Sequence, residues 1–121
     1  KEVAGQVNTL YKAKTGNDLT GASARSFTGL QTWVHVLEKA GSTDPAAIQK
    51  AANDLNIPGA ELVVPWAGIK FSTAGNEIGQ NTLGSGLIGQ YQKNANGEIV
   101  LEIVYPFDVA SADMIYPFPK F

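Results

Sequence analysis

The run Gly84-Ser85-Gly86-Leu87-Ile88-Gly89 matches the G-x-G-x-x-G pattern of a dinucleotide-binding turn. In such a site a strand precedes the glycines and a helix follows, so the pyrophosphate meets the helix N–H groups. Here Gln90-Tyr91-Gln92-Lys93 leads toward a hairpin, and the glycines read as a turn opening into a strand. His35 is the single histidine. A general base needs a carboxylate or hydroxyl in reach, and Glu38 is its nearest acidic neighbour along the helix; a solvated or satisfied helical histidine is the plainer reading. Glu61, Glu77, Glu98, Glu102, Asp108 and Asp113 are scattered and form no D-x-D-x-D-G calcium loop. Trp33, at helical spacing, and Trp66, in Pro65-Trp66-Ala67-Gly68, read as packing residues before ligand-stacking ones.

Arg25 is the only arginine, and it lies at the start of a helix in Gly21-Ala22-Ser23-Ala24-Arg25-Ser26. A helix start offers N–H donors to a carboxylate, and a guanidinium adds a bidentate donor. This is the one place where the chemistry suits an anionic or zwitterionic small ligand; a solvated surface arginine is the competing reading.

Composition narrows the classes. The chain has 121 residues, 44% hydrophobic and 17% charged, enough for one domain with a core and unlike a disordered tail. Lys and Arg number 9 against 11 Asp and Glu, and the net charge of −2 argues against nucleic acid as a partner. No Cys is present, which excludes disulfides, thiolate metal sites and a thiol nucleophile, and one His excludes a multi-histidine metal site. No cofactor or metal is therefore expected. No apolar run reaches the ~20 residues needed to span a bilayer. The opening Lys1-Glu2-Val3-Ala4 shows no signal peptide and is expected to belong to a processed or truncated chain.

The elements that must position these residues change character along the chain. Val3, Val7, Leu10 and Tyr11 give a first amphipathic helix, with Lys12 and Lys14 in its last turn and Gly16-Asn17 as its stop. A second helix carries Phe27, Leu30, Val34 and Leu37 on one face with Trp33 beside them, starts at Thr20 or Ser23 and stops at Gly41. That face is expected to be buried. A third helix is capped by Asp44 with Pro45 at its first position, and Ile48, Ala51 and Leu55 form its narrow apolar face. Asn56 and Pro58-Gly59 are its expected end.

Beyond residue 59 the period becomes two. Ala60–Phe71 reads as β-leaning although Pro65 interrupts it, and Ser72–Gly86 reads as turns. Leu87–Lys93 and Glu98–Tyr105 flank Asn96-Gly97 as a β-hairpin. Ile99, Leu101, Ile103 and Tyr105 share its apolar face, and Val100, Glu102 and Val104 point the other way, to a side expected to be only partly buried. The tail from Pro106 is expected to be extended and packed by Tyr116, Phe118 and Phe121. The fold class is thus α/β: three helices, a β-hairpin and an extended tail. A lone hairpin is marginal without further strands or a covering helix.

Phe27-Thr28-Gly29-Leu30-Gln31-Thr32-Trp33 through Glu38-Lys39-Ala40-Gly41-Ser42-Thr43-Asp44-Pro45-Ala46-Ala47-Ile48 resembles the late helix pair of ABC-transporter substrate-binding proteins of the type I periplasmic, leucine/isoleucine/valine-binding-like family. Pro65-Trp66-Ala67-Gly68-Ile69-Lys70-Phe71 with Gly75-Asn76 is similar to that family's G-x-x-F-D-x-x-G segment. Gln90-Tyr91-Gln92, Asn96-Gly97-Glu98 and Tyr105-Pro106 resemble its closing hairpin, and Tyr116-Pro117-Phe118-Pro119 its tail. The resemblance runs in order over most of the chain. It departs at Ser72, where the family has an acid, and in a longer turn at Ser72–Asn81.

The resemblance implies the carboxyl-terminal part of a two-lobed α/β type I periplasmic-binding-protein fold. Residues 1–59 would be a helical segment of the first lobe, and 60–121 a strand and hairpin segment near the hinge and second lobe, ending in the extended tail. It implies no enzyme. The implied function is capture of a small amino acid or related carboxylate by lobe closure in the periplasm or outside the cell, and delivery to an ABC permease. Ala22, Ser23 and Arg25 are the implied ligand-binding residues, the small Ala22 leaving room for a larger ligand. A ligand-sensing domain of a receptor or regulator is the alternative, and a hydrolase using His35 a more distant one. Exposed lobe surfaces and hairpin edges imply self-association of the fragment.

Overall fold

The computed structural model describes residues 2–118, which form a mixed α/β structure. Among them are α1 (Glu2–Thr15), α2 (Gly21–Ala40), α3 (Pro45–Asn53) and two small antiparallel sheets, β1 (Ile57–Pro58) with β2 (Gly68–Ile69), and β3 (Ile88–Lys93) with β4 (Ile99–Tyr105). They fall into two compact units that meet in sequence at Ser85/Gly86. No helix among the described residues is long and apolar enough to cross a membrane.

In the first unit, the helix ends follow local chemistry. Thr20 caps α2 in a capping box: the Ser23 N–H donates to Thr20 Oγ1 at 3.2 Å, and the Thr20 N–H donates to Ser23 Oγ at 2.8 Å. Gly41 closes α2 in the left-handed region at φ 57°, its N–H donating to the Leu37 carbonyl. Asp44 Oδ1 accepts from the Ala46 and Ala47 N–H groups at 3.0 and 3.1 Å, as its place before Pro45 predicts. Helix α3 stops at Asn53, before the expected Asn56.

The expected buried face of α2 is not the one that packs. Phe27, Trp33 and Val34 are exposed, and Leu30 is 64% exposed. Instead Thr28 and Val36 are buried, with Ala24 and Ala40 packed on the core and Thr32 half-buried. These residues form an i, i+4 ridge of small and β-branched side chains, which lets α3 and Ala51 approach closely. The threonines tolerate burial because each hydroxyl bonds back one turn, Thr28 to the Ala24 carbonyl at 3.0 Å and Thr32 to the Thr28 carbonyl at 2.8 Å. Periodicity located the apolar stripe correctly but could not tell that a narrower ridge would be preferred. Trp33 is likewise exposed and not a packing residue, whereas Trp66 does pack against the core.

Ala60–Phe71 is not a strand. Gly68–Ile69 pairs with Ile57–Pro58, and Phe71 makes an isolated antiparallel bridge with Asn81. Between them a 3-10 turn at Gly59–Glu61 leads into Leu62, Val63 and Val64, which are buried as irregular backbone. Pro65 has no N–H for a ladder, so the run collapses inward instead of pairing. The Leu62 N–H finds the Gly59 carbonyl at 3.1 Å, and Gln31 Nε2 of α2 donates to the Glu61 carbonyl at 2.9 Å. The expected turns after Ser72 are present, and Asn81 ties them down: its Oδ1 accepts from the Lys70 and Leu83 N–H groups, and its Nδ2 donates to the Gly68 carbonyl.

The second unit contains the expected hairpin within a residue at each strand end. Tyr91 faces Leu101 and Gln90 faces Glu102 in register. The turn uses Gly97 at φ 83° as its only left-handed residue, while Asn94 Oδ1 accepts from the Asn96 and Glu98 N–H groups. Asn96 does not adopt the left-handed conformation a two-residue Asn-Gly turn requires. The Gly84–Gly89 glycines lead into β3 and not into a helix.

The hairpin's faces are the reverse of the expectation. Ile99 and Tyr105 are exposed and Leu101 is 60% exposed, whereas Val104 is buried with Gln90 and Gln92. The reason is the tail, which folds back over the polar face because the two glutamines supply hydrogen bonds to its backbone. Tyr116 and Phe118 are exposed and do not pack the tail; Phe121 lies outside the described residues.

Truncation of Leu62, fully buried, to Ala should cost about 2–5 kcal/mol. Leu30→Ala on the exposed stripe should change stability by no more than about 0.5 kcal/mol. Loss of the cap in Asp44→Ala should cost about 1 kcal/mol. Urea unfolding followed by helical circular dichroism separates the three; a Leu30→Ala effect as large as that of Leu62→Ala would contradict the burial assignment.

Candidate functional site

The start of α2 is built from side chains that the α1–α2 turn brings together. Helix α1 has no fully buried residue; Val3, Ala4, Val7 and Tyr11 are half-buried, and polar bonds add to its attachment. Asn8 Oδ1 accepts from the Leu19 N–H at 2.7 Å, and Asn8 Nδ2 donates to Asp18 Oδ1 at 2.9 Å. Lys12 Nζ reaches Asp18 Oδ2 at 3.0 Å. These bonds fix Asp18 and Leu19 just ahead of the Thr20 cap.

A hollow of about 330 Å³ or less accompanies each of two places in this unit. One, of about 300 Å³, is walled by Ala4 and Asn8 of α1, by Asp18–Gly21, and by Ala24 and Val63. The other, of about 330 Å³, lies between α2 and the β1 segment, where His35, Glu38, Lys39 and Glu61 bring charges of both signs around Leu55, Asn56, Ile57 and Pro58. Among the described residues, no group of three or more His, Asp or Glu is gathered closely enough to hold a metal ion.

Ala22, Ser23 and Arg25 all lie on the first turns of α2, next to the first hollow but outside its walls. Ala22 is exposed. The Ser23 hydroxyl is committed to the cap, accepting from the Thr20 N–H and donating to the Thr20 carbonyl at 3.1 Å. Arg25 is exposed, forms no ion pair with a described residue, and lies back along the helix with Nη1 3.9 Å from the place a Cβ would take on Gly21. The Gly21 and Ala22 N–H groups accordingly remain available at the positive end of the α2 dipole, beside a guanidinium. That pairing can hold a carboxylate. Asn8 and Asp18 were not visible as members of this region, because their partnership spans a turn and is set by side-chain reach; the only sequence signal is the polar cluster Asn17-Asp18 after Gly16.

The Asp18 carboxyl is held below the usual carboxylate range, first by the Asn8 hydrogen bond and then by Lys12. Asp54 is held down in the same sense by Lys50 across one turn at the end of α3. No family model matches the chain, and no curated protein matches it either.

A carboxyl whose folded value is depressed adds stability that is complete above its unfolded value of ~3.9 and is lost as pH falls through the folded value. Carbon-detected titration of Asp18 should therefore give a midpoint below that of an unstructured Asp, and Asn8→Ala should move it back upward. An unchanged midpoint in Asn8→Ala would show that the Asn8 clasp does not hold the carboxylate.

Proposed function

We propose that this chain is the carboxyl-terminal portion of a type I periplasmic-type solute-binding protein, serving capture of a small amino acid or related carboxylate for an ABC permease in the periplasm or outside the cell. What supports this reading most is that two amphipathic elements each leave an apolar face exposed among the described residues. Phe27, Leu30, Trp33 and Val34 form one on α2; Tyr91, Ile99, Leu101 and Tyr105 form the other on the hairpin. Apolar faces of this kind belong against other protein surface, and in a two-lobed α/β protein upstream segments would cover them. The start of α2 supports the ligand class: two free N–H groups and Arg25 are donors, which suits a carboxylate. On this reading the function is binding and lobe closure, and Ala22, Ser23 and Arg25 contribute one wall of a site whose other contacts come from the rest of the protein.

Calorimetry on the chain extended by the residues encoded upstream of Lys1, titrated with leucine, aromatic amino acids and their amides, should give saturable one-to-one binding to at least one of them. The 121 residues alone should bind each far more weakly. Failure of the longer chain to bind any amino acid or carboxylate, or equal affinity of the short chain, would overturn the proposal. The bare faces also lead us to expect self-association of the short chain; light scattering should give a dimer or larger species, and a monodisperse monomer would count against it.

A further inference from the structure

Gln90 and Gln92 stand two residues apart on β3, on one face, and each is only 8% exposed. Buried amides are costly unless their donors and acceptors are met. Here they are met by the backbone of the tail. Gln90 Oε1 accepts from the Ile115 N–H at 2.8 Å, and Gln90 Nε2 donates to the Ile115 carbonyl at 2.8 Å. Gln92 Nε2 donates to the Asp113 carbonyl at 2.8 Å and to Gln90 Oε1 at 2.8 Å, which locks the two amides together.

The spacing is complementary: residues two apart on the tail meet residues two apart on the strand, running antiparallel. The near end of the tail is pinned at β4. The Ser111 N–H donates to the Ile103 carbonyl at 2.8 Å, Ser111 Oγ accepts from the Ile103 N–H at 2.9 Å, and its hydroxyl donates to Glu102 Oε2. Residues 111–115 thus run from Ile103 of β4 to Gln90 and Gln92 of β3. At the β3 end the side chains take little part, since Asp113, Met114 and Ile115 are exposed; Ser111 bonds through its hydroxyl and Ala112 is half-buried.

We infer that residues 111–115 are a detachable strap, latched at its β3 end by glutamine amides that bond its backbone and at its β4 end through Ser111. The latch is made of hydrogen bonds whose groups find water equally well when it opens. No side chain of the strap is fully buried, Ala112 being half-buried and the others exposed, and the β3–β4 ladder does not run through it. The strap therefore opens as its own local unit, with the hairpin still paired. Opening exposes the Gln90 and Gln92 amides to water.

Amide hydrogen exchange on the full chain tests this. The Ile115 N–H should be protected, yet exchange about tenfold or more faster than the β3–β4 ladder amides, with a rate insensitive to low urea because little surface is exposed. Gln90→Glu keeps an acceptor for the Ile115 N–H but sets a carboxylate against the Ile115 carbonyl. It should speed Ile115 exchange about tenfold while the ladder amides keep their rates. Ser111→Ala, a milder change at the far end, should also speed exchange at Ile115, because the strap opens as one piece. Ile115 exchanging together with the ladder at the same urea slope, or Gln90→Glu releasing ladder and tail alike, would overturn the inference. So would Ile115 protection that neither variant alters.

Discussion

Where the backbone at Gly59 passes the Trp66 carbonyl there is no room for a side chain: a Cβ would stand 2.4 Å from that oxygen and 2.6 Å from the Ala67 carbonyl oxygen. Gly68, on the other side of the pinch, would bring a Cβ to 2.6 Å from the Ile57 carbonyl oxygen. This close approach lets Ile57–Pro58 pair with Gly68–Ile69 and forces the intervening residues into a closed loop. Leu62 and Val64 then turn inward and meet Val36 of α2 and Ala51 of α3. Any larger residue at Gly59 would push the loop open, remove the apolar plug from beneath α2, and disturb both hollows, since Val63 walls one and Ile57 and Pro58 the other.

Around that plug, attachment by polar clasps is used where apolar burial is missing. Helix α1 has no fully buried residue, its Val3, Ala4, Val7 and Tyr11 being half-buried, and is tied down further through Asn8, Lys12 and Asp18. Within the second unit, the tail is held through Gln90 and Gln92. Hydrogen bonds of this kind fix geometry well but contribute little net stability, because water competes for the same groups. The apolar residues that would normally do the anchoring, Leu30 and Trp33 in one unit and Leu101 and Tyr105 in the other, stay exposed. In the first unit the interior is apolar and the Asn8–Asp18–Lys12 clasp lies at the surface, whereas in the second the glutamine contacts to the tail lie inward and Leu101 and Tyr105 face outward.

Much of the local structure was legible from residue chemistry. Thr20, Gly41, Asp44 and Pro45 mark helix ends because capping is a bond between neighbours, and the hairpin follows from β-prone runs on either side of Asn96-Gly97. The cap at Thr20 follows for the same reason, and Ala22, Ser23 and Arg25 lie on the first turns of α2. The clasp that frames it was not, since Asn8 and Asp18 meet only after the chain turns.

What the sequence determined by itself is the three helices with their caps, the hairpin, and the presence of amphipathic faces, all of which depend on contacts within a few residues; the pairing of Ile57–Pro58 with Gly68–Ile69 does not. What only the tertiary structure decided is which face each element hides. On α2, the small ridge through Thr28 and Val36 permits a closer helix approach than the bulky stripe through Leu30 and Trp33. On the hairpin, two glutamine amides attract the tail's backbone and bury the more polar side. Amphipathicity states that an apolar face wants a partner; which partner is in reach, and whether its backbone needs hydrogen bonds, depends on residues far apart in the chain.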